Sequence, residues 1–183
     1  MMETDAMTEQ NDSLPPCRHH ESDERASPFP DRCHDHDACV AAALAAAERQ
    51  CARRGARLTQ ARRRVLELVW RSHRPVGAYA LLAALSEDGA KAAPPTVYRA
   101  LDFLRAHGLV HRIERLDAFV GCPRPGEPHA GQFLLCAECG AVAELDEPAI
   151  DQAVARGAAR HGFTVRRQTI EVEGVCPACA AKN

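Results

Sequence analysis

Two Cys-x-x-Cys turns, Cys136 to Cys139 and Cys176 to Cys179, constrain this chain more than any other feature. Each presents two thiolates from one tight knuckle, and two knuckles complete a tetrahedral zinc shell with every position filled. Gly140, directly after the first pair, suits the backbone reversal such a knuckle needs. The 36 residues between the pairs exceed the usual zinc-ribbon spacing, so a helix and a strand must be looped out between them. Cys136, Cys139, Cys176 and Cys179 are therefore read as ligands of a structural zinc ion that ties the end of a small unit to its start. A thioredoxin-type dithiol would need one motif opening a helix after a strand, and neither pair has that setting. A zinc deaminase would couple H-x-E with P-C-x-x-C. Here Leu135 and Val175 precede the pairs, and the only H-x-E is His19 to Glu21 in the acidic N-terminal stretch.

At 183 residues the chain has room for one domain or two small ones. With 9 cysteines, no basic-then-apolar opening segment and no run of about 18 apolar residues, the expectation is a cytoplasmic protein with no membrane partner, its thiols used for metal and not for disulfides. The net charge of -2 conceals a segregated distribution: 3 basic against 10 acidic side chains in residues 1–40, 14 against 7 in residues 41–120, and 6 against 8 in residues 121–183. The basic middle suits a polyanion-binding surface, although a solvated arginine-rich helix face fits the charge equally well.

Residues 1–37 are polar, acidic and punctuated by proline, and read as a disordered tail containing histidine and cysteine. Its "CRHH" (Cys17 to His20) and, running just past it, "CHDHDAC" (Cys33 to Cys39) leave open a weak zinc-loading site. A helix is expected over Ala38 to Arg54, with Gly55 as its cap and Cys51 as packing. Thr59 suits the N-cap of a second helix burying Val65, Leu66, Val69 and Trp70; Pro75 and Gly77 break it, and a third short helix carries Leu81, Leu82 and Leu85. "PPTVYRALDFLRAHG" is a fourth, with Val97, Ala100, Leu101 and Leu104 as the buried stripe. "LVHRIE" and "AFVGC" then form a hairpin through "RLD". Helices followed by a hairpin is the order of a winged helix-turn-helix, assigned to residues 38–122. "PRPGEP" (123–128) reads as a hinge, and residues 129–183 as a small unit with a helix from Ala149 to His161 and a final strand over "FTVRRQTIEVEG".

His111, Cys122, His129 and Glu144 remain around the hinge. Singly, each has an ordinary explanation: a hydrogen-bonded strand histidine or a small buried thiol. The runs "GARLTQARRRVLELVWRSHRPVGAYALLAAL", "PPTVYRALDFLRAHGLVHRIERLDAFVGC", "HAGQFLLCAECGAVAEL" and "CPAC" closely resemble the zinc uptake regulator branch of the ferric uptake regulator superfamily, over roughly residues 40–180. The histidine-aspartate cluster that the iron-sensing branch tends to carry before its first Cys-x-x-Cys is absent from "HAGQFLLC".

The resemblance implies an α+β chain: an N-terminal winged helix-turn-helix DNA-binding domain, then a small C-terminal α/β dimerisation domain with a four-cysteine zinc site. It further implies two zinc ions per chain, the second a regulatory ion on His111, Cys122, His129 and Glu144. The function implied is a zinc-loaded homodimeric repressor acting on double-stranded operator DNA of zinc-uptake and homeostasis genes. Resemblance and helix position together suggest Arg99 as a base reader and Tyr79 and Thr96 as backbone or base-methyl contacts, with a core-edge aromatic as the alternative for Tyr79. Arg57, Arg62, Arg63 and Arg64 suit phosphate contacts, some being ordinary solvated charges. An iron, manganese, nickel or peroxide sensor of the same superfamily, or a zinc storage or delivery module, remains the alternative. Neither metal set leaves a clear open coordination position, so no enzyme and no small-molecule substrate is expected.

Overall fold

Apolar residues three and four apart build the N-terminal half. In the computed structural model, which describes residues 29, 36–71, 74–87, 93–127, 129 and 131–182, Val40, Leu44, Ala47 and Cys51 line one buried face of α1 (His36–Arg53). The helix begins two residues before the expected Ala38. Val65, Leu66, Leu68 and Val69 do the same for α2 (Gln60–Trp70), with Trp70 only half-buried. Thr59 occupies the N-cap of α2 in extended conformation, but its hydroxyl makes no capping bond. Leu81 and Leu85 anchor α3 (Ala78–Glu87), and α4 (Pro94–Ala106) buries the stripe Val97, Ala100, Leu101 and Leu104. These faces share one core with Leu109, Val110 and Phe119.

The hairpin pairs β2 (Val110–Ile113) with β3 (Ala118–Gly121) in antiparallel register, His111 opposite Val120. Its connection is one 3-10 turn, Glu114–Leu116, closed by Asp117 in the left-handed region at φ 45. Val76–Gly77, where Pro75 and Gly77 were expected only to break the helix, is a two-residue strand, β1, against Phe119 and Ala118. Gly121 carries no side chain for a steric reason: a Cβ there would collide with the Trp70 indole.

A second sheet has the order β5-β4-β6, from β4 (Gly131–Cys136), β5 (Val142–Glu144) and β6 (Thr169–Gly174). β4 and β6 run parallel, which requires a crossover, and α5 (Pro148–Ala159) supplies it. The expected strand over residues 163–174 starts only at Thr169, because its partner β4 begins at Gly131 and offers no ladder further back. Phe133 lies opposite Glu144 on one side and Glu171 on the other. Ile113 and Val120 of the hairpin pack against Phe133, Leu135 and Val142, so the two sheets share a small apolar contact. A last turn of helix, α6 (Pro177–Ala180), was not foreseen. The stretches "CRHH" and residues 33–35 lie outside the described residues; Cys39 is half-buried in α1. Among the described residues no helix is long and apolar enough to cross a membrane.

Candidate metal centres

β4 ends on Cys136, the following turn supplies Cys139, and α6 brings Cys176 and Cys179; the four sulfurs lie within 4.8 Å of one another. Gly140 makes the knuckle at φ 70, its amide donating to the Cys136 carbonyl at 3.0 Å. The Cys176 amide donates to the Cys136 sulfur at 3.3 Å. That bond, with amide contacts from Cys139 and Glu138, pulls the Cys136 thiol down to about 6. Cys179, crowded by Cys176 and the other sulfurs, is pushed up to about 12. Zn–S bonds of about 2.3 Å in a tetrahedron put sulfurs about 3.8 Å apart. Cys139 and Cys176 are 3.7 Å apart, so the cage has the dimension zinc requires. Phe29 and Ala141 pack against it.

His111 on β2, Cys122 just past β3, His129 before β4 and Glu144 at the end of β5 form a second group, their ligand atoms within 4.8 Å of one another. Two ligands come from the hairpin and two from the C-terminal sheet. The His129 Nε2 atom lies 3.1 Å from His111 Nε2, 3.5 Å from the Cys122 sulfur and 2.9 Å from Glu144 Oε1. His129 donates through Nδ1 to the Glu127 carbonyl at 2.8 Å, which leaves a lone pair on Nε2. The Glu144 carboxylate, with its side chain 9% exposed, therefore faces an acceptor, and both its oxygens are buried without a hydrogen-bond donor. Burial, then the neighbouring His129, lowers His111 to about 4, so it presents a neutral imidazole. Burial pushes the Cys122 thiol up to about 12 and raises Glu144 above the ordinary carboxyl range. Four potential donor atoms converging on one point make a group that could hold a cation once the Cys122 thiol gives up its proton. One thiolate, two imidazoles and a carboxylate fit tetrahedral zinc better than the nitrogen and oxygen shells that ferrous iron prefers.

Arg124 was not singled out from sequence. It forms an ion pair with Asp146 and lies 3.9 Å from Glu144 Oε1, so the proline-rich segment is fastened to the end of β5. A cleft of about 710 Å³ between α4, β2 and the residues before β6 has His111 and His129 in its wall, giving that pair an approach from solvent.

Tyr79 on α3 is 78% exposed, which removes the core-edge reading of that aromatic. Thr96 and Arg99 are exposed on α4. Of the remaining arginines, Arg57 is exposed, Arg62 lies over the Phe103 ring at 3.5 Å, Arg63 pairs with Glu48 and Arg64 with Glu67 at 2.8 Å. Arg62 and Arg64 are thus partly engaged within the fold.

The model of the ferric uptake regulator family matches residues 53–173. This chain belongs to the ferric uptake regulator family. It is 42% identical over 137 residues to the zinc uptake regulation protein of Escherichia coli (strain K12), covering 74% of this chain and 80% of that relative. Among solved structures, a zinc uptake regulator complexed with zinc and DNA superposes with a TM-score of 0.75 at 40% identity, over 78% of this chain and 96% of that one. Holo XcZur superposes at 0.71 with 44% identity, over 75% and 96% of the two chains.

Proposed function

We propose that this family member is a zinc-responsive transcriptional repressor, acting as a zinc-loaded homodimer on operator DNA of zinc-uptake and homeostasis genes. The observation that carries the reading is the second cluster: a buried carboxylate without a donor, two imidazoles and a thiol, contributed by both halves of the chain. The relatives named for zinc uptake regulation, one of them solved with zinc and DNA, support the same assignment. Residues 38–122 would form the DNA-binding domain, 123–128 the hinge and 129–183 the dimerisation and metal-binding domain; the separate helical core and second sheet agree with that division. For dimerisation, α5 buries none of its residues and Val154, Phe163, Val172 and Val175 are exposed, an apolar surface that a second copy would cover.

Two four-donor groups support a reading of two zinc ions per chain. Cys136, Cys139, Cys176 and Cys179 close the C-terminal unit, which is small enough to need such a staple. His111 and Cys122 ride on the hairpin, His129 and Glu144 on the second sheet, so gathering the four fixes one half against the other. Zinc held by His111, Cys122, His129 and Glu144 would supply two positive charges against one thiolate and one carboxylate. Arg99, Thr96 and Tyr79 on the exposed faces of α4 and α3 would then be held at the separation of two half-sites, and linkage requires DNA to tighten metal binding in return.

The test is selection of duplexes from a random pool with and without zinc. Wild-type protein is expected to enrich one sequence family only with zinc. A Cys122→Ala, His129→Ala double variant that selected the same duplexes with undiminished zinc dependence would overturn the assignment.

A further inference from the structure

Strand register places Glu144, Phe133 and Glu171 side by side across the second sheet, and residues opposite one another on a ladder present their side chains to the same face. All three meet the hairpin. Glu144 reaches His111 at 3.5 Å; the Phe133 ring lies 5.2 Å from the His111 ring and packs on Ile113. At the far end of the row, the Glu171 carboxylate accepts the amides of Glu114 at 2.6 Å and Arg115 at 3.1 Å. These are the first amides of the 3-10 turn, which the turn itself cannot satisfy, and Ile113 before them provides no side-chain cap. An acidic group from another sheet fills that role. Two residues further along the same face of β6, Glu173 pairs with Arg115.

His111 stands three residues before Glu114 on the strand that runs into this turn, so anchoring the turn fixes where His111 lies relative to Glu144. The metal cluster and the Glu171 contact close the same face from opposite ends of one row. Any free energy that Glu171 contributes to closure reappears, by linkage, as metal affinity.

We propose that Glu171 is a positioning residue for the second metal centre: its carboxylate latches the hairpin turn onto β6 and thereby tightens zinc binding at His111, Cys122, His129 and Glu144. This rests on the regulatory-site reading above. Among the described residues the Glu171 carboxylate bonds the turn amides and no candidate ligand, a contact that sequence spacing gives no hint of.

The experiment is competition for zinc against a chromophoric chelator, comparing the full-length wild-type chain with Glu171→Ala and Glu171→Gln. A charged acceptor serving two amides in partly exposed surroundings is worth about a tenfold change in affinity. Expected are about tenfold weaker second-zinc binding in Glu171→Ala, an intermediate value in Glu171→Gln, which keeps one acceptor oxygen, and unchanged first-zinc binding in both. Arg115→Ala removes only an exposed ion pair and is expected to change second-zinc binding less than about threefold. A merely structural role for Glu171 would move both zinc affinities together, and that outcome counts against the latch. Second-zinc binding within about twofold of wild type in both Glu171 variants would overturn the latch alone. A wild-type chain that takes up no second zinc would overturn the regulatory-site reading, and the latch with it.

Discussion

Zinc binding at the second cluster should tighten about tenfold for each pH unit between about pH 7 and pH 8. The magnitude follows from the protons the donors carry. Burial holds the Cys122 thiol up at about 12, so in this window it enters as S–H and must lose its proton to bind. His111, held down at about 4 by burial and by His129, is already a neutral imidazole and releases none. One proton is therefore exchanged for each zinc, which gives a slope of one in log affinity against pH, or about 1.4 kcal/mol per unit. Glu144, raised by burial, adds slope at lower pH wherever its carboxyl is still protonated, and it cannot subtract any. The assay is competition with a chelator across the window, corrected for the chelator's own protonation, with proton release followed by an indicator dye. Cys122→Ala should reduce the slope toward zero. A flat profile in the wild-type protein would refute the reasoning, because it would mean that no thiol proton is displaced.

The metal-free protein should lose stability as pH falls, because His111 has a folded pKa of about 4 against an ordinary 6.5. Its contribution is fully present above the ordinary value and is lost as pH falls through the folded one, to a total of about 3 kcal/mol, read as urea unfolding of wild type against His111→Ala. Leu104→Ala, at a fully buried position in α4, should cost about 2–5 kcal/mol in the same unfolding measurement. Arg99→Ala should relax sequence preference in duplex selection by about 1–3 kcal/mol at one position, whereas Arg57→Ala should weaken all sequences alike and lower the salt slope by about one.

Features written in local spacing were legible in the sequence. The stripe Val97, Ala100, Leu101 and Leu104 is buried as its helical period requires, and the four cysteines meet as their knuckle spacing requires. His111, Cys122, His129 and Glu144 come from separate elements with no common period, so spacing could not join them; the family resemblance did, and the fold brings their ligand atoms together. What depended on a distant partner was missed or misjudged. Val76–Gly77 becomes a strand only because Phe119 and Ala118 lie beside it, and residues 163–168 fail to become one because β4 begins only at Gly131. Arg124 and Glu171 are ordinary surface charges in sequence, and only the approach of the two sheets gives them partners. The exposed Tyr79 shows the limit in the other direction: an aromatic beside an apolar helix face is equally consistent with core and surface until the neighbouring helices are in place.

The most direct test is a zinc titration of the metal-stripped, reduced protein in the presence of a selected, fluorescent duplex, with metal uptake and DNA anisotropy recorded together. The first equivalent per chain should be taken up with little change in anisotropy as the four-cysteine cage fills. The second should drive DNA binding, with a midpoint that shifts to lower zinc as duplex concentration rises. DNA binding complete at the first equivalent, or a midpoint independent of duplex concentration, would contradict the assignment of His111, Cys122, His129 and Glu144 as the sensing site.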